Sequence, residues 1–324
     1  MILRGIDFGK VLDATGVRGF FGEGYWFHKL WRSFGLNFDG STFVAKTTTL
    51  ESRLGYMDLD KKYRPKKWFP DCVRVYSAKG VVLNAIGLSG PGASALFETG
   101  EWQKRQEPFF ISFMSVAGTV RERRLELLGF MEMLKRFLPE FQSKIGLQIN
   151  FSCPNVSVEF DEDEFVDEVY SSLALARCFV NIPLMPKFSV LTSPETLKEV
   201  ADFASCDAIC ISNTIPWGKL SDEIDWRGLF GSNESPLAKY GGGGLSGKPL
   251  LALVVDWIIR AREIGITKPI NAGGGLLSQE DAELLFYAGA DSVFLGSVAM
   301  LTPWKVKSII AFAQKCAKRE GGGL

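Results

Sequence analysis

Reactive and hydrogen-bonding side chains recur in this chain just beyond short apolar runs. Lys46 and Thr47 stand at the end of one run, and Asn150, Cys153 and Asn155 at the end of another. Lys187, Asn213 and Thr214 close two more, while Gly273, Gly274 and Gly275 and the pair Gly296-Ser297 close the last two. A lysine held inside a pocket neutralises negative charge on an electron-rich or reduced ring; the alternative for either lysine alone is a salt bridge to Asp or Glu. Asparagine offers both a donor and an acceptor. Several at one site suit a heterocycle with alternating C=O and N–H groups, such as a pyrimidine, although each taken singly also reads as a loop cap. A thiol has an ordinary pKa of about 8.5 and serves as a base where its site lowers that value. Cys153 is the candidate, and Cys72, Cys178, Cys206, Cys210 and Cys316 read as buried structural thiols. Glycine-rich turns let a phosphate approach backbone N–H groups; the plainer reading is tight turns alone.

Positioning all of these at one place requires elements that end together. Short β-branched or aromatic runs at 17–21, 42–46, 109–114, 147–151, 184–188, 208–211, 269–272 and 292–295 alternate with longer helical patterns. Most of the runs are apolar throughout, as strands buried on both faces are. The helical pattern at 121–138 carries Leu125, Leu128, Met131, Leu134 and Leu138. Ser193 and Pro194 form a cap and first-turn pair for a helix to about 204. Ser278 with Asp281 opens another that ends near Gly289, and 250–264 and 304–318 are the last two. Strands alternating with helices in this way predict an α/β fold, a (β/α)8 TIM barrel, whose chemistry gathers at the carboxyl ends of the strands. The stretch 72–86 reads as an inserted hairpin with its turn at Ala78 to Gly80. An open doubly wound sheet is the alternative, but it calls for an early Gly-x-Gly-x-x-Gly. The early glycine stretch, FGEGYWF at 21–27, lacks the third glycine. With no internal repeat and no linker, residues 1–324 are expected to form a single domain.

Composition narrows the function classes. Lys plus Arg and Asp plus Glu both number 37 in 324 residues, so there is no basic excess to neutralise a nucleic-acid backbone. The only histidine is His28, which excludes a His-rich metal site, and no metal is expected. No CxxC pair occurs among the six cysteines, and free thiols in a chain this long point to a reducing, cytoplasmic setting. No apolar run is long enough for a membrane span, and the first residues do not read as a signal peptide.

Asn150-Phe-Ser-Cys-Pro-Asn155 resembles the Asn-Leu-Ser-Cys-Pro-Asn signature of class 1 dihydroorotate dehydrogenases, which are FMN-dependent (β/α)8 barrels. Lys46-Thr-Thr-Thr-Leu50 resembles the family's Lys-Ser-Ser-Thr-Leu, and Asn84-Ala-Ile-Gly-Leu88 its substrate loop Asn-x-Met-Gly-Leu. Gly243-Gly-Leu-Ser-Gly247 and Ala272-Gly-Gly-Gly275 resemble its FMN loops. The motifs stand in the family's order from about 43 to 299.

The resemblance implies that dihydroorotate is oxidised to orotate in pyrimidine biosynthesis. Cys153 is then the base at C5, where class 2 enzymes carry serine, and the C6 hydride passes to flavin N5. Asn84, Asn150, Asn155 and Asn213, with Lys46 and Thr214, are implied to hold the substrate, and the backbone near Gly87 and Leu88 its carboxylate. Lys46, Thr47, Asn150, Lys187, Ser246 and Gly247 are implied to contact FMN, with Gly274, Gly275, Gly296 and Ser297 around its phosphate. The acceptor is implied to be fumarate, NAD through a partner subunit, or quinone. The assembly is implied to be a homodimer or a complex with an electron-transfer subunit.

Two departures stand out. The family's Ala-Ser-Gly turn after its first strand is matched here, after the run at 17–21, by Gly22-Glu23-Gly24-Tyr25. Gly241 to Lys248 is followed at once by Pro249, a shorter spacing than usual. The aromatic stretch 25–32 reads as local core or as a partner surface. The alternatives are a related flavin oxidoreductase acting on another dihydropyrimidine and a phosphate-binding barrel without flavin.

Overall fold

The computed structural model describes residues 1–151 and 162–316. Seven strands form one parallel sheet in the order Val11–Asp13, Ser292–Leu295, Ile270–Ala272, Ile209–Ile211, Leu184–Phe188, Ile145–Asn150 and Phe109–Phe113. The two edges of that sheet are joined by the segment 42–48. Thr42 bridges Leu12, and Val44 and Thr48 bridge Phe110 and Phe113, all in parallel. The Asp13 N–H donates to the Thr42 carbonyl at 2.9 Å, and the Phe110 N–H to the Phe43 carbonyl at 3.0 Å. This eighth segment closes the ring, so the fold is the expected (β/α)8 barrel. Its ladder is interrupted at Lys46, whose N–H turns away to the Gly19 carbonyl at 3.0 Å. The chain therefore kinks where its lysine reaches the barrel mouth, as a bulge re-aims a side chain.

One expected strand is corrected. Residues 17–21 are turns, and the first barrel strand is Val11–Asp13. The apolar composition of 17–21 suits a strand, but Gly16, Gly19 and Gly22 flank and interrupt it at φ of 84°, 80° and 91°. Those left-handed positions curl the backbone out of any ladder. Phe20 is buried all the same, and its carbonyl accepts the Trp102 indole N–H at 2.7 Å.

Helices follow the strands as expected, with shifted ends. Val120–Phe137 starts at a capping box, Thr119 accepting from the Glu122 N–H and Glu122 reaching back to the Thr119 N–H. It buries Leu127, Phe130, Met131 and Leu134, while Leu125 is exposed, so its inward stripe is displaced from the expected one. Pro194–Asp202 is capped by Ser193 and Gln279–Ala288 by Ser278, the latter ending at left-handed Gly289. Leu250–Glu263 and Val306–Lys315 complete the ring.

The inserted hairpin is present, Val73–Tyr76 paired with Val81–Asn84 around left-handed Gly80. It extends into a four-stranded antiparallel sheet with Gly244–Gly247 and Ile215–Pro216. The stretch expected to be a flavin loop at 243–247 is thus largely a strand. Its glycines allow this: a Cβ on Gly247 would lie 2.2 Å from the Gly80 carbonyl oxygen. Among the described cysteines, Cys72, Cys206 and Cys210 are buried as expected, but Cys178 is exposed and Cys316 half-buried.

Candidate active site

At the strand ends the barrel opens into a cavity of about 700 Å³. From the eighth segment come Lys46 and Thr47; from Ile145–Asn150, Asn150; from Leu184–Phe188, Lys187; and after Ile209–Ile211, Ser212, Asn213 and Thr214. The last two barrel strands bring Gly274, Gly275, Gly296 and Ser297 to the same space, and the four-stranded sheet and the loop after it bring Asn84, Gly87, Leu88 and Ser246. Every expected site residue among the described ones lines this cavity except Gly247, which is wedged against Gly80 and Val81. Cys153 and Asn155 lie outside the described residues.

Two lysines are held in this cavity almost without water. Burial pushes the Lys46 ammonium down to about 8, partly offset by the charges of Glu23 and Cys72. It donates to the Ser89 carbonyl and lies 4.5 Å from the centre of the Phe20 ring. Lys187 is also lowered by burial, and lies 5.3 Å from the centre of the Phe294 ring. Neither forms an ion pair with a carboxylate among the described residues. The salt-bridge alternative for these lysines is therefore not realised there. Aromatic faces and a backbone carbonyl offset only part of the cost of burying a cation. A ligand bearing negative charge would supply the rest.

The hydrogen-bonding groups are ordered by their neighbours. The Asn213 amide donates to Asn150 Oδ1 at 2.5 Å, which couples two strand ends. The Asn84 amide reaches the Gly244 carbonyl at 3.5 Å, and Thr47 Oγ1 and Ser112 Oγ are 3.0 Å apart. The Ser212 hydroxyl accepts from the Val190 N–H at 3.2 Å and donates to the Asn213 carbonyl at 2.6 Å.

The turn after the first strand was missed in the sequence. Because that strand is Val11–Asp13, the residues after it are Ala14, Thr15 and Gly16, and all three line the cavity. They directly follow the first barrel strand, where the resemblance expects an Ala-Ser-Gly turn, so Gly22 to Tyr25 is not the stretch to compare with that turn. Thr15 donates to Gln148 at 2.6 Å, the Tyr25 hydroxyl to the Gly16 carbonyl at 2.6 Å, and Arg18 to Asp13 at 2.5 Å. The signal was the short run Val11-Leu12 before a glycine, too brief to stand out beside 17–21. In the outer rim, Trp26, Phe27 and Lys29 belong to the stretch read as local core or a partner surface and not as part of the site, and Arg64, Lys67 and Trp68 were missed. Their only trace in the sequence is a density of basic and aromatic residues. No group of three His, Cys, Asp or Glu side chains among the described residues could hold a metal ion. No described helix is long and apolar enough to cross a membrane.

The family profile for dihydroorotate dehydrogenase matches residues 36–314. The chain belongs to the dihydroorotate dehydrogenase family. A dihydroorotate dehydrogenase B (NAD(+)) catalytic subunit from Anoxybacillus flavithermus is 29% identical over 271 residues, covering 83% of this chain and 76% of that protein. The same kind of subunit from Caldicellulosiruptor bescii is 27% identical and covers 96% of this chain and 91% of its own. Among solved structures, ligand-free dihydroorotate dehydrogenase from Eimeria tenella superposes with a TM-score of 0.67 at 18% identity, over 97% of this chain and 86% of that one. The family's barrel is therefore the fold of this chain, and family members are oxidoreductases acting on a CH–CH bond.

Proposed function

We propose that this chain oxidises dihydroorotate to orotate with FMN, in pyrimidine biosynthesis. The observation that carries the reading is the convergence, in one cavity, of two buried lysines and the coupled Asn150–Asn213 pair with glycine turns from the last two barrel strands. The residues present fit FMN. The cavity has the size of sites that enclose small ligands, about 300–1,000 Å³. Val17, Met114, Leu276 and Phe294 give it apolar walls, and the two ammonium groups, which have no carboxylate partner among the described residues, suit a ring that becomes anionic on reduction. Gly274, Gly275, Gly296 and Ser297 stand where barrels commonly take a phosphate.

When bound, FMN supplies the acceptor for the hydride from C6 of the substrate. The chain's own residues do the rest. Cys153, the cysteine of the Ser-Cys-Pro motif, takes the proton from C5. Lys46 and Lys187 hold positive charge beside the flavin ring. Asn84, Asn150, Asn155 and Asn213 hold the pyrimidine, and the backbone at Gly87 and Leu88 its carboxylate. The B-type relatives are described as catalytic subunits linked to NAD(+), which supports an electron-transfer partner for this chain too. A cytoplasmic location accompanies that reading.

The purified protein should be yellow, release FMN on denaturation and bleach when dihydroorotate is added without oxygen. A colourless protein that takes up no FMN would overturn the flavin reading. Flavin that stays oxidised with dihydroorotate but bleaches with another dihydropyrimidine would overturn the substrate.

A further inference from the structure

The rim of the cavity does not resemble the rest of this electrically neutral chain. Two segments, 26–34 and 61–69, carry it: Trp26, Phe27, Lys29 and residues 64–68 line the mouth beside Glu23 and Asp60, and neither segment itself contains an Asp or a Glu. The first holds Lys29 and Arg32; the second, KKYRPKKWF, holds Lys61, Lys62, Arg64, Lys66 and Lys67. Arg64 pairs with Asp60 and Lys67 with Asp71. The other five cations have no carboxylate partner among the described residues.

Large apolar side chains stand out among these charges. Leu30 is 56% exposed, Phe34 64%, Trp68 69% and Phe69 75%. Trp26 fastens the two segments together. Its ring stacks on Trp68 at 5.0 Å and meets the edge of Phe69 at 5.1 Å, and its indole N–H donates to the Trp68 carbonyl at 2.5 Å. Leu30 lies one helical turn beyond Trp26 on Trp26–Arg32, so it shares that face. Trp31 in turn packs on Trp304 at 5.3 Å and Phe34 at 5.5 Å, anchoring the helix to the barrel. The patch is thus held in place by ring contacts while its outward apolar groups are left in water.

We infer that this rim docks on the surface of an anionic lipid bilayer. The mixture of groups decides between lipid and protein. Protein interfaces are depleted in lysine at their centres, yet here lysines are interleaved with the most exposed rings. Side chains of this kind, Trp, Phe and Leu beside long cations, are what interfacial segments place at the headgroup boundary. Each unpaired cation near an anionic surface contributes about 1 kcal/mol, and the inserted rings add apolar burial. Lys29, Arg64, Lys67 and Trp68 also line the cavity mouth, so the docked barrel opens toward the bilayer. This attachment is independent of the reaction proposed above, and its test does not depend on activity.

The test is co-sedimentation of the full chain with vesicles of phosphatidylcholine alone and of phosphatidylcholine with one-third phosphatidylglycerol. Binding is expected only to the anionic vesicles, weakening as salt is raised. The triple variant Lys61→Glu, Lys62→Glu, Lys66→Glu should lose binding by about tenfold or more. The double variant Leu30→Ser, Phe69→Ser should lose it by a similar factor while keeping the salt dependence. These are all exposed positions, and an unchanged circular dichroism spectrum and melting temperature confirm that each variant is folded. Failure of the wild-type chain to bind anionic vesicles overturns the inference, as does binding that survives the triple charge reversal. An acidic protein as the true occupant would give the first of these results.

Discussion

Lys46 carries its charge where water barely reaches, and that has a consequence for stability apart from any reaction. Its value in the folded chain is about 8, against an ordinary 10.5. Between those values the unfolded chain binds more protons than the folded one, so stability rises as pH climbs from 8 to 10.5. Below pH 8 the buried charge is a standing cost. Lys46→Met should remove that part of the rise, which urea midpoints of the FMN-free protein at pH 8 and at about pH 10 would show. An equal rise in both proteins would mean that the buried charge is not penalised. Lys187 is present in both and cancels. Cys153 belongs to the same scale but to a different role. Cys153→Ala should keep its FMN and reduce it about 10² to 10⁴ times more slowly, the usual cost of losing a general base. Anaerobic stopped-flow with dihydroorotate measures this, and a wild-type rate would remove the thiol from the reaction.

At the scale of elements, the glycine turn after Ile270–Ala272 is built against its neighbours as tightly as toward the cavity. Gly275 has φ of 77°, and a Cβ there would lie 2.7 Å from the Leu251 N and 2.8 Å from the Gly247 carbonyl oxygen. Gly275→Val should therefore push the turn off the start of Leu250–Glu263, lowering the melting temperature and abolishing FMN retention together. Gly265 is the control. It too is left-handed, at φ 84°, but a Cβ there meets nothing within 4 Å. Gly265→Ala should cost only the backbone strain, about 1–2 kcal/mol, and keep its flavin. Loss of flavin from both variants would show that instability, not the turn, releases it. The same elements show what could be read in advance. Strand ends after 184–188, 208–211, 269–272 and 292–295 were legible because each is a buried apolar run followed by a polar or glycine-rich break. The first strand was not, since Val11–Asp13 is only three residues long and its neighbour 17–21 is richer in apolar groups. The four-stranded sheet was half legible: the hairpin has a local turn signal, whereas its pairing with Gly244–Gly247 joins residues far apart in sequence.

At the scale of the whole molecule, barrel closure and site assembly are one event. The segment that closes the ring also delivers Lys46 and Thr47, while Asn213 and Asn150 tie together the ends of the two strands on either side of Leu184–Phe188. The space they enclose, about 700 Å³, is much larger than a pyrimidine needs. Under the function proposed here, a flavin fills most of it and its face becomes a wall of the substrate site. Orotate entering the empty cavity would leave much of its surface against water and gain little. Binding should therefore be ordered, and stability should report the order, because a ligand stabilises only the state that binds it. FMN alone should raise the melting temperature, by about 2.7 kcal/mol of stability at a hundred times its dissociation constant. Orotate should raise it further in the FMN-loaded protein and scarcely at all in the FMN-free one. Asn213→Ala, which removes the bond to Asn150, should keep the first increment and lose most of the second, a loss on the order of 1–3 kcal/mol. Equal stabilisation of the flavin-free and flavin-loaded protein by orotate would mean that the pyrimidine makes its site without the flavin, and the shared cavity would then be the wrong description of how this barrel binds its two ligands.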